Sequence, residues 1–282
     1  MTRPPSAEGR ILRWPGCRNV RDLGGLPTSW GGRVRRGALV RSARPAAATL
    51  PALTGYGIRL VADLRLAAEC AADPSPLAGA EGGGHGPVPD GGQRSVPGGG
   101  EGLVPGGEGW PVWRRLPVLR DEDAVLEEMG DTLPEIYRRI LDEGAPLFAA
   151  ALAALAQAPP GGVLVHCHSG KDRTGLVVAL ALSVAGVPED EIAADYALTA
   201  ACLSLDGHLA ALQGEAARAR SRRLFAEVTA ATMAATLEHL RGRHGGAEAY
   251  LRDAGLSPED ARLLRARLTG QGQTSTGPPL RQ

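Results

Sequence analysis

The sequence predicts an α/β protein with a mainly parallel central sheet flanked by helices, followed by a C-terminal helical extension. Three observations carry this reading. Short apolar, partly β-branched runs alternate with helical stretches up to Val187, the pattern of parallel strands joined by crossover helices. The stretch Val163-Leu-Val-His166 passes through a short polar loop directly into Leu176–Val187, which is almost wholly apolar and suits a helix buried on all sides. Beyond Val187 the pattern is helical to the end.

Composition sets the outer bounds. The chain has 282 residues, which fits one large domain or two small ones, and 31 basic residues balance 31 acidic ones. A net charge of zero argues against a general nucleic-acid or membrane-surface binder. Cys17, Cys70, Cys167 and Cys202 are scattered without the spacing of a disulfide framework, which favours a reducing compartment. The first ten residues lack the apolar core of a classical signal peptide. The longest apolar run ends at Gly186 and is too short to span a bilayer. These readings predict a cytoplasmic protein without an integral membrane segment.

Taken in order, residues Met1 to Gly9 read as a flexible lead, and Arg10 to Leu12 as a short edge strand. Asn19 to Gly25 ends in a Gly24-Gly25 turn. Its Arg21 and Asp22 either pair structurally or line a site, and an Asp before Gly-Gly favours turn chemistry. Val34 to Arg41 reads as a strand. Thr49 is placed to cap a short helix through Thr54. Ile58 to Asp63 is a second buried strand, and a polar residue leaving such a strand end stands where open α/β sheets hold ligands.

Residues 71–109 carry repeated Gly-Gly runs and many prolines with few large apolar residues, so they read as a flexible, tolerated insertion. Val112 to Leu119 resumes as a strand, with Arg120-Asp-Glu-Asp123 after it. Asp131 to Leu141 and Pro146 to Gln157 read as two helices. Pro188-Glu-Asp-Glu191 opens the helical extension, 188–268, with acids at a helix N-terminus. Within it Arg218, Arg220, Arg222 and Arg223 cluster, either as an anion-attracting patch or, the reading the composition favours, as a solvated helix face. Ser257-Pro-Glu-Asp260 starts a final helix, and residues 269–282 read as a disordered tail.

The chemistry concentrates in His166-Cys167-His168-Ser169-Gly170-Lys171-Asp172-Arg173-Thr174-Gly175. Cys167 ends a strand and Arg173 follows six residues later at the start of a helix. Five residues wrapped between them let successive backbone N–H groups point inward as an anion nest, and the helix N-terminus adds its own amides and dipole. Arg173 supplies a planar fork for two phosphate oxygens. These positive surroundings favour Cys167 as a thiolate nucleophile. An isolated cysteine is more often a buried core residue, but here strand, loop and helix all match the motif. A zinc site from His166, Cys167 and His168 is a weaker rival, because no second Cys/His cluster at ligand spacing accompanies it. No metal and no cofactor are predicted.

This Cys-x5-Arg loop resembles that of cysteine-dependent phosphatases, specifically the bacterial tyrosine/serine phosphatases typified by protein tyrosine phosphatase B. The resemblance extends to Asn19-Val-Arg-Asp-Leu-Gly-Gly25, Arg36-Gly-Ala-Leu-Val-Arg-Ser42, Val61-Ala-Asp-Leu-Arg65, Ala194-Asp-Tyr196 and Tyr250-Leu-Arg-Asp-Ala-Gly-Leu256. It implies a single phosphatase domain over 1–282, with the helical extension forming a lid over the site. It implies hydrolysis of phosphomonoesters through a phosphocysteine, with phosphoproteins or phosphoinositides as substrates. Export without a classical signal occurs among such proteins.

Within that frame Cys167 is the nucleophile. His168, Ser169, Gly170, Lys171 and Thr174 join Arg173 around the phosphate. His166 orients the loop and assists the thiol by hydrogen bonding, and Thr174 donates to the sulfur or helps its release. Three aspartate sites compete for the role of general acid: Asp172, Asp63 and the Asp121/Asp123 pair. Cationic Lys171 and Arg173 favour a carboxylate at Asp172, whereas a bound phosphate dianion favours the acid. The usual Trp-Pro-Asp of a mobile acid loop is missing around Asp121 and Asp123. The preferred assignment makes Asp172 the acid and Asp63 the residue that holds Arg173, a supporting role that the resemblance favours. Two rivals stand beside this reading, a catalytically silent binding module and a sulfurtransferase. Release of phosphate from an aryl phosphate separates them.

Overall fold

A computed structural model describes residues 9–78, 110–127, 129–210 and 214–270. Five strands form one sheet: β1 (Arg21–Asp22), β2 (Leu39–Ser42), β3 (Ile58–Asp63), β4 (Val112–Arg115) and β5 (Gly162–His166). Their spatial order is β1-β2-β5-β3-β4, and only the β1–β2 pairing is antiparallel. Helices flank the sheet, so the predicted α/β class and the mainly parallel sheet are both found. The register aligns His166 with Ser42 on one side and with Asp63 on the other. The C-terminal ends of the three central strands therefore meet at the point where the Cys167 loop begins, the position at which open α/β sheets present ligands.

Ten helices complete the described chain: α1 (Leu50–Gly55), α2 (Ala67–Ala72), α3 (Leu133–Ala156), α4 (Asp172–Val184), α5 (Glu189–Cys202), α6 (Leu205–Ala210), α7 (Glu215–Ala226), α8 (Ala230–His244), α9 (Ala247–Asp253) and α10 (Pro258–Thr269). α4 buries nearly all of its residues, as the almost wholly apolar sequence from Leu176 predicts. It packs against α3, α5, α9 and α10, and α3 in turn packs against α8 and α10. One large core joins these helices to one face of the sheet, and a smaller cluster built on Val40, Ile58, Val61 and Leu164 fills the other. Ser257 caps α10 by accepting the Asp260 N–H, with Pro258 in the first turn.

The structure corrects several boundaries. The strand expected over Val34–Arg41 starts only at Leu39, because Gly37 turns at φ +72° and Ala38 N–H closes a turn on Arg35 O. The strand expected over Val112–Leu119 stops at Arg115, and Pro117 follows without an N–H to continue the ladder. Ile11 makes a single bridge to Arg21 rather than a strand. The two helices expected around Gly144 and Pro146 are one continuous α3. Its buried face runs from Tyr137 through Gly144 to Leu155, with Pro146 on the exposed side, and Gly144 is needed there because a Cβ would stand 2.5 Å from Val118 O. Tertiary packing thus outweighs the one hydrogen bond that Pro146 removes. At the start of the expected insertion, α2 continues to Ala72, and Ser75 and Leu77 are buried. The remainder, 79–109, lies outside the described residues, as do the lead 1–8 and the tail from 271.

Candidate active site

The loop from Cys167 to Lys171 leaves β5 and enters α4 at Asp172. Its outward carbonyls are held by neighbouring elements. Leu64 N–H donates to His166 O at 2.8 Å and Arg44 N–H to His168 O at 3.0 Å. Asn19 Nδ2 donates to Gly170 O at 2.9 Å and to Ser169 O at 3.2 Å, and Arg41 Nη2 donates to Gly170 O at 2.8 Å. Among the described residues no acceptor takes up the amide N–H groups of His168, Ser169, Gly170, Lys171 or Asp172. A loop with its carbonyls satisfied outside and its amides unspent forms an anion cradle. Gly170 makes the close approach possible: it turns at φ +69°, and a Cβ there would stand 2.2 Å from Ser42 O.

Behind the loop stands a buried ionic cluster centred on Asp195 of α5. Arg10 Nη1 reaches it at 2.7 Å, Arg41 Nη1 at 3.2 Å and Arg21 Nε at 3.3 Å. Arg21 also donates to Asn19 Oδ1 and, at 3.0 Å, to Thr199 Oγ1. Burial pushes the Asp195 carboxyl up, but Arg21, Arg41 and Arg10 overcome it and hold the group at about 2. One anion therefore orders the two side chains, Asn19 and Arg41, that grip the loop. Arg21 and Asp22 do not pair with each other. Asp22 accepts the Gly24 N–H at 2.9 Å, the turn chemistry expected before Gly-Gly.

Cys167 is buried at the loop's start. His166 Nδ1 lies 3.0 Å from the Cys167 carbonyl oxygen, so it orients the backbone. Among the described residues nothing hydrogen-bonds the Cys167 sulfur, and the expected contacts from His166 and Thr174 are not made. The buried Thr174 Oγ1 likewise has no hydrogen-bond partner among the described residues. His168 is exposed, Ser169 half-buried and Lys171 buried, with Lys171 Nζ 3.5 Å from Asp172 Oδ2.

Asp172 is half-buried, and its Oδ1 accepts a 2.6 Å hydrogen bond from Tyr137 of α3. Tyr137 and Tyr196 hydroxyls lie 2.6 Å apart. Burial, and then the Asp172 charge, push both phenols well above their usual range, so Tyr137 remains a donor. Tyr196 also lies against Gly175, where a Cβ would meet its ring at 3.1 Å.

Asp63 does not hold Arg173. Its carboxylate forks with Arg65, at 2.9 Å to Nε and 2.7 Å to Nη2, and accepts from Trp113 Nε1 at 3.3 Å. Arg173 is gripped by Glu69 of α2, which accepts from Nη1 at 2.5 Å and from Nη2 at 2.9 Å. The reason is local geometry: Asp63 ends β3 fully buried beside Arg65, whereas α2 projects Glu69 across the mouth of the loop. Burial raises both carboxyls, but the Arg65 hydrogen bond for Asp63 and the Arg173 hydrogen bond for Glu69 outweigh it, so both lie below the usual range. Burial also lowers His166, although Asp63 stands 3.8 Å from its Nε2. Asp121 is used elsewhere, accepting the Ala67 N–H at the start of α2, and Asp123 faces Arg120.

Sequence reasoning missed Glu69 and Tyr137, and quoted Asn19, Arg41 and Asp195 within blocks without giving them a role. All four cysteines are free. No helix among the described residues is long and apolar enough to cross a membrane.

A family model described as the tyrosine phosphatase family matches residues 12–270. The chain is 30% identical to a tyrosine-protein phosphatase of Nostoc commune over 95% of this chain and 83% of that one. It is 32% identical to a putative tyrosine-protein phosphatase of Cupriavidus necator, over 68% of this chain and 64% of the relative. A shorter match, 36% identical over 38% of this chain and 44% of the relative, is to the triple specificity protein phosphatase PtpB of Mycobacterium tuberculosis. Together with the cradle around Cys167, these matches establish that the chain belongs to the tyrosine phosphatase family.

Proposed function

We propose that this phosphatase hydrolyses phosphotyrosine, and also phosphoserine/threonine and phosphoinositide monoesters, through a phosphocysteine at Cys167. The observation that carries the reading is the set of unspent loop amides, His168 to Asp172, between Cys167 and Arg173. The amides and the Arg173 guanidinium hold the equatorial oxygens, with Glu69 fixing the guanidinium plane. The Cys167 thiolate attacks phosphorus and the ester P–O bond breaks. Asp172, anchored by Tyr137, gives its proton to the leaving oxygen. Water then attacks phosphorus, Asp172 takes the proton back, and the S–P bond breaks to release phosphate. Asp63 is a supporting residue: it pairs Arg65 beside His166 and stands outside the reacting groups.

The wider substrate range rests on the positive charge of Lys171, whose Nζ stands within the loop 3.5 Å from Asp172 Oδ2, and on the relative described as a triple specificity phosphatase. No step calls for a metal. Cys167→Ser is expected to abolish turnover while phosphate binding persists, because cradle and Arg173 remain. Vanadate should inhibit the native protein and EDTA should not. Loss of turnover on chelation, restored by a divalent cation, would falsify the mechanism.

A further inference from the structure

Asp142 on α3 and His239 and His244 on α8 lie outside the loop site and take no part in the proposed chemistry. Each offers one ligand atom, and these atoms all lie within 4.8 Å of one another. Asp142 Oδ1 is the common point, 3.0 Å from His239 Nε2 and 3.8 Å from His244 Nε2. We propose that this group binds a divalent cation of the zinc type, which clamps the C-terminal end of α8 to α3.

Around a tetrahedral ion with bonds of about 2.1 Å, ligand atoms stand roughly 3.4 Å apart. The two separations from Asp142 Oδ1 bracket that value, and all three atoms lie within 4.8 Å of one another. Two imidazoles and one carboxylate form a donor set that zinc accepts, with water completing the shell. A second observation points the same way: His244 Nε2 is buried and, among the described residues, has no hydrogen-bond partner. A buried polar atom left unpaired is costly unless something occupies it. The ring is not free to turn away, because it packs edge-on against Tyr250 with centroids 5.1 Å apart and against His239 at 6.4 Å. Arg243 Nε stands 3.5 Å from Asp142 Oδ1 and competes for it. Its side chain is 60% exposed, so it can move into solvent when an ion arrives. The sequence hides the site, because His239 and His244 are five apart on α8 and Asp142 lies 97 residues before His239.

The test is calorimetric titration of zinc chloride into the full chain carrying Cys167→Ser, which removes the loop thiol as a competing ligand. One strong site is expected. His239→Ala and His244→Ala should each weaken it at least tenfold, and Asp142→Asn serves if either alanine variant fails to fold. Cobalt(II) in place of zinc should give a tetrahedral spectrum without a thiolate charge-transfer band. In the native chain, chelation should lower the melting temperature of the zinc-loaded protein and leave turnover unchanged. Absence of zinc binding, unchanged affinity in the ligand variants, or a thiolate band placing the ion on Cys17, Cys70 or Cys202 would each overturn the proposal.

Discussion

Replacing Asp195 with Asn keeps the side chain's shape and removes the one negative charge that Arg10, Arg21 and Arg41 share. All four side chains are almost completely buried, so water cannot replace the lost partner. Removing one member of a buried ion pair costs about 3–5 kcal/mol. For a domain of this size each kcal/mol moves the melting temperature by about 2–4 °C, so Asp195→Asn should melt about 6–20 °C lower. The loss should also reach the loop, since Asn19 and Arg41 take their positions from this cluster and hold Gly170 O. A displacement of about 1 Å at such a support can cost on the order of 100-fold in rate. The pH dependence has a definite sign. The Asp195 carboxyl is held at about 2, below its ordinary value, so its stabilisation is full above the unfolded pKa. It is lost as pH falls from about 4 towards 2. Calorimetry from neutral pH into that window, with aryl phosphate turnover measured beside it, checks both effects. A melting temperature within about 2 °C of native, with turnover intact, would refute the idea that this charge holds the loop.

Two further outcomes follow from the loop. Asp172→Asn should slow esters with poor leaving groups far more than those with good ones, because only the former need the proton; Asp63→Asn should slow both alike, and the reverse pattern would exchange the two roles. Lys171→Ala should reduce hydrolysis of multiply phosphorylated phosphoinositides more than that of aryl phosphates, while equal losses would confine Lys171 to the general potential of the loop.

What the sequence made legible was contiguous. Strand, loop and helix around Cys167 occupy a single run, and the apolar content of Leu176–Val187 announced a buried helix. The supports were hidden because they join distant positions: Glu69 meets Arg173 across 104 residues, and Asp195 meets Arg10 across 185. Asp63 finds its ionic partner in Arg65, only two residues away. At the end of a strand, alternate side chains share one face, and that spacing was the available signal. Tyr137 carries no signal of its role in the sequence, since its hydroxyl contact depends on how α3 lies against α4. Gly144 and Pro146 read as a break in α3, yet the packing of that helix beneath Val118 requires the glycine and carries the chain through the proline.

The central claim, a covalent phosphoryl group on Cys167, can be tested directly by trapping. Asp172→Asn slows hydrolysis of the intermediate while leaving the thiol in place, so a good-leaving-group aryl phosphate should load the sulfur faster than water clears it. Quenching in alkaline denaturant, which preserves both S–P and N–P bonds, followed by site-resolved peptide mass spectrometry, should then find one phosphoryl group on Cys167, together with a burst of phenol equal to the enzyme present. Phosphate on His166 or His168 instead, or turnover without a burst and without any labelled peptide, would contradict the account.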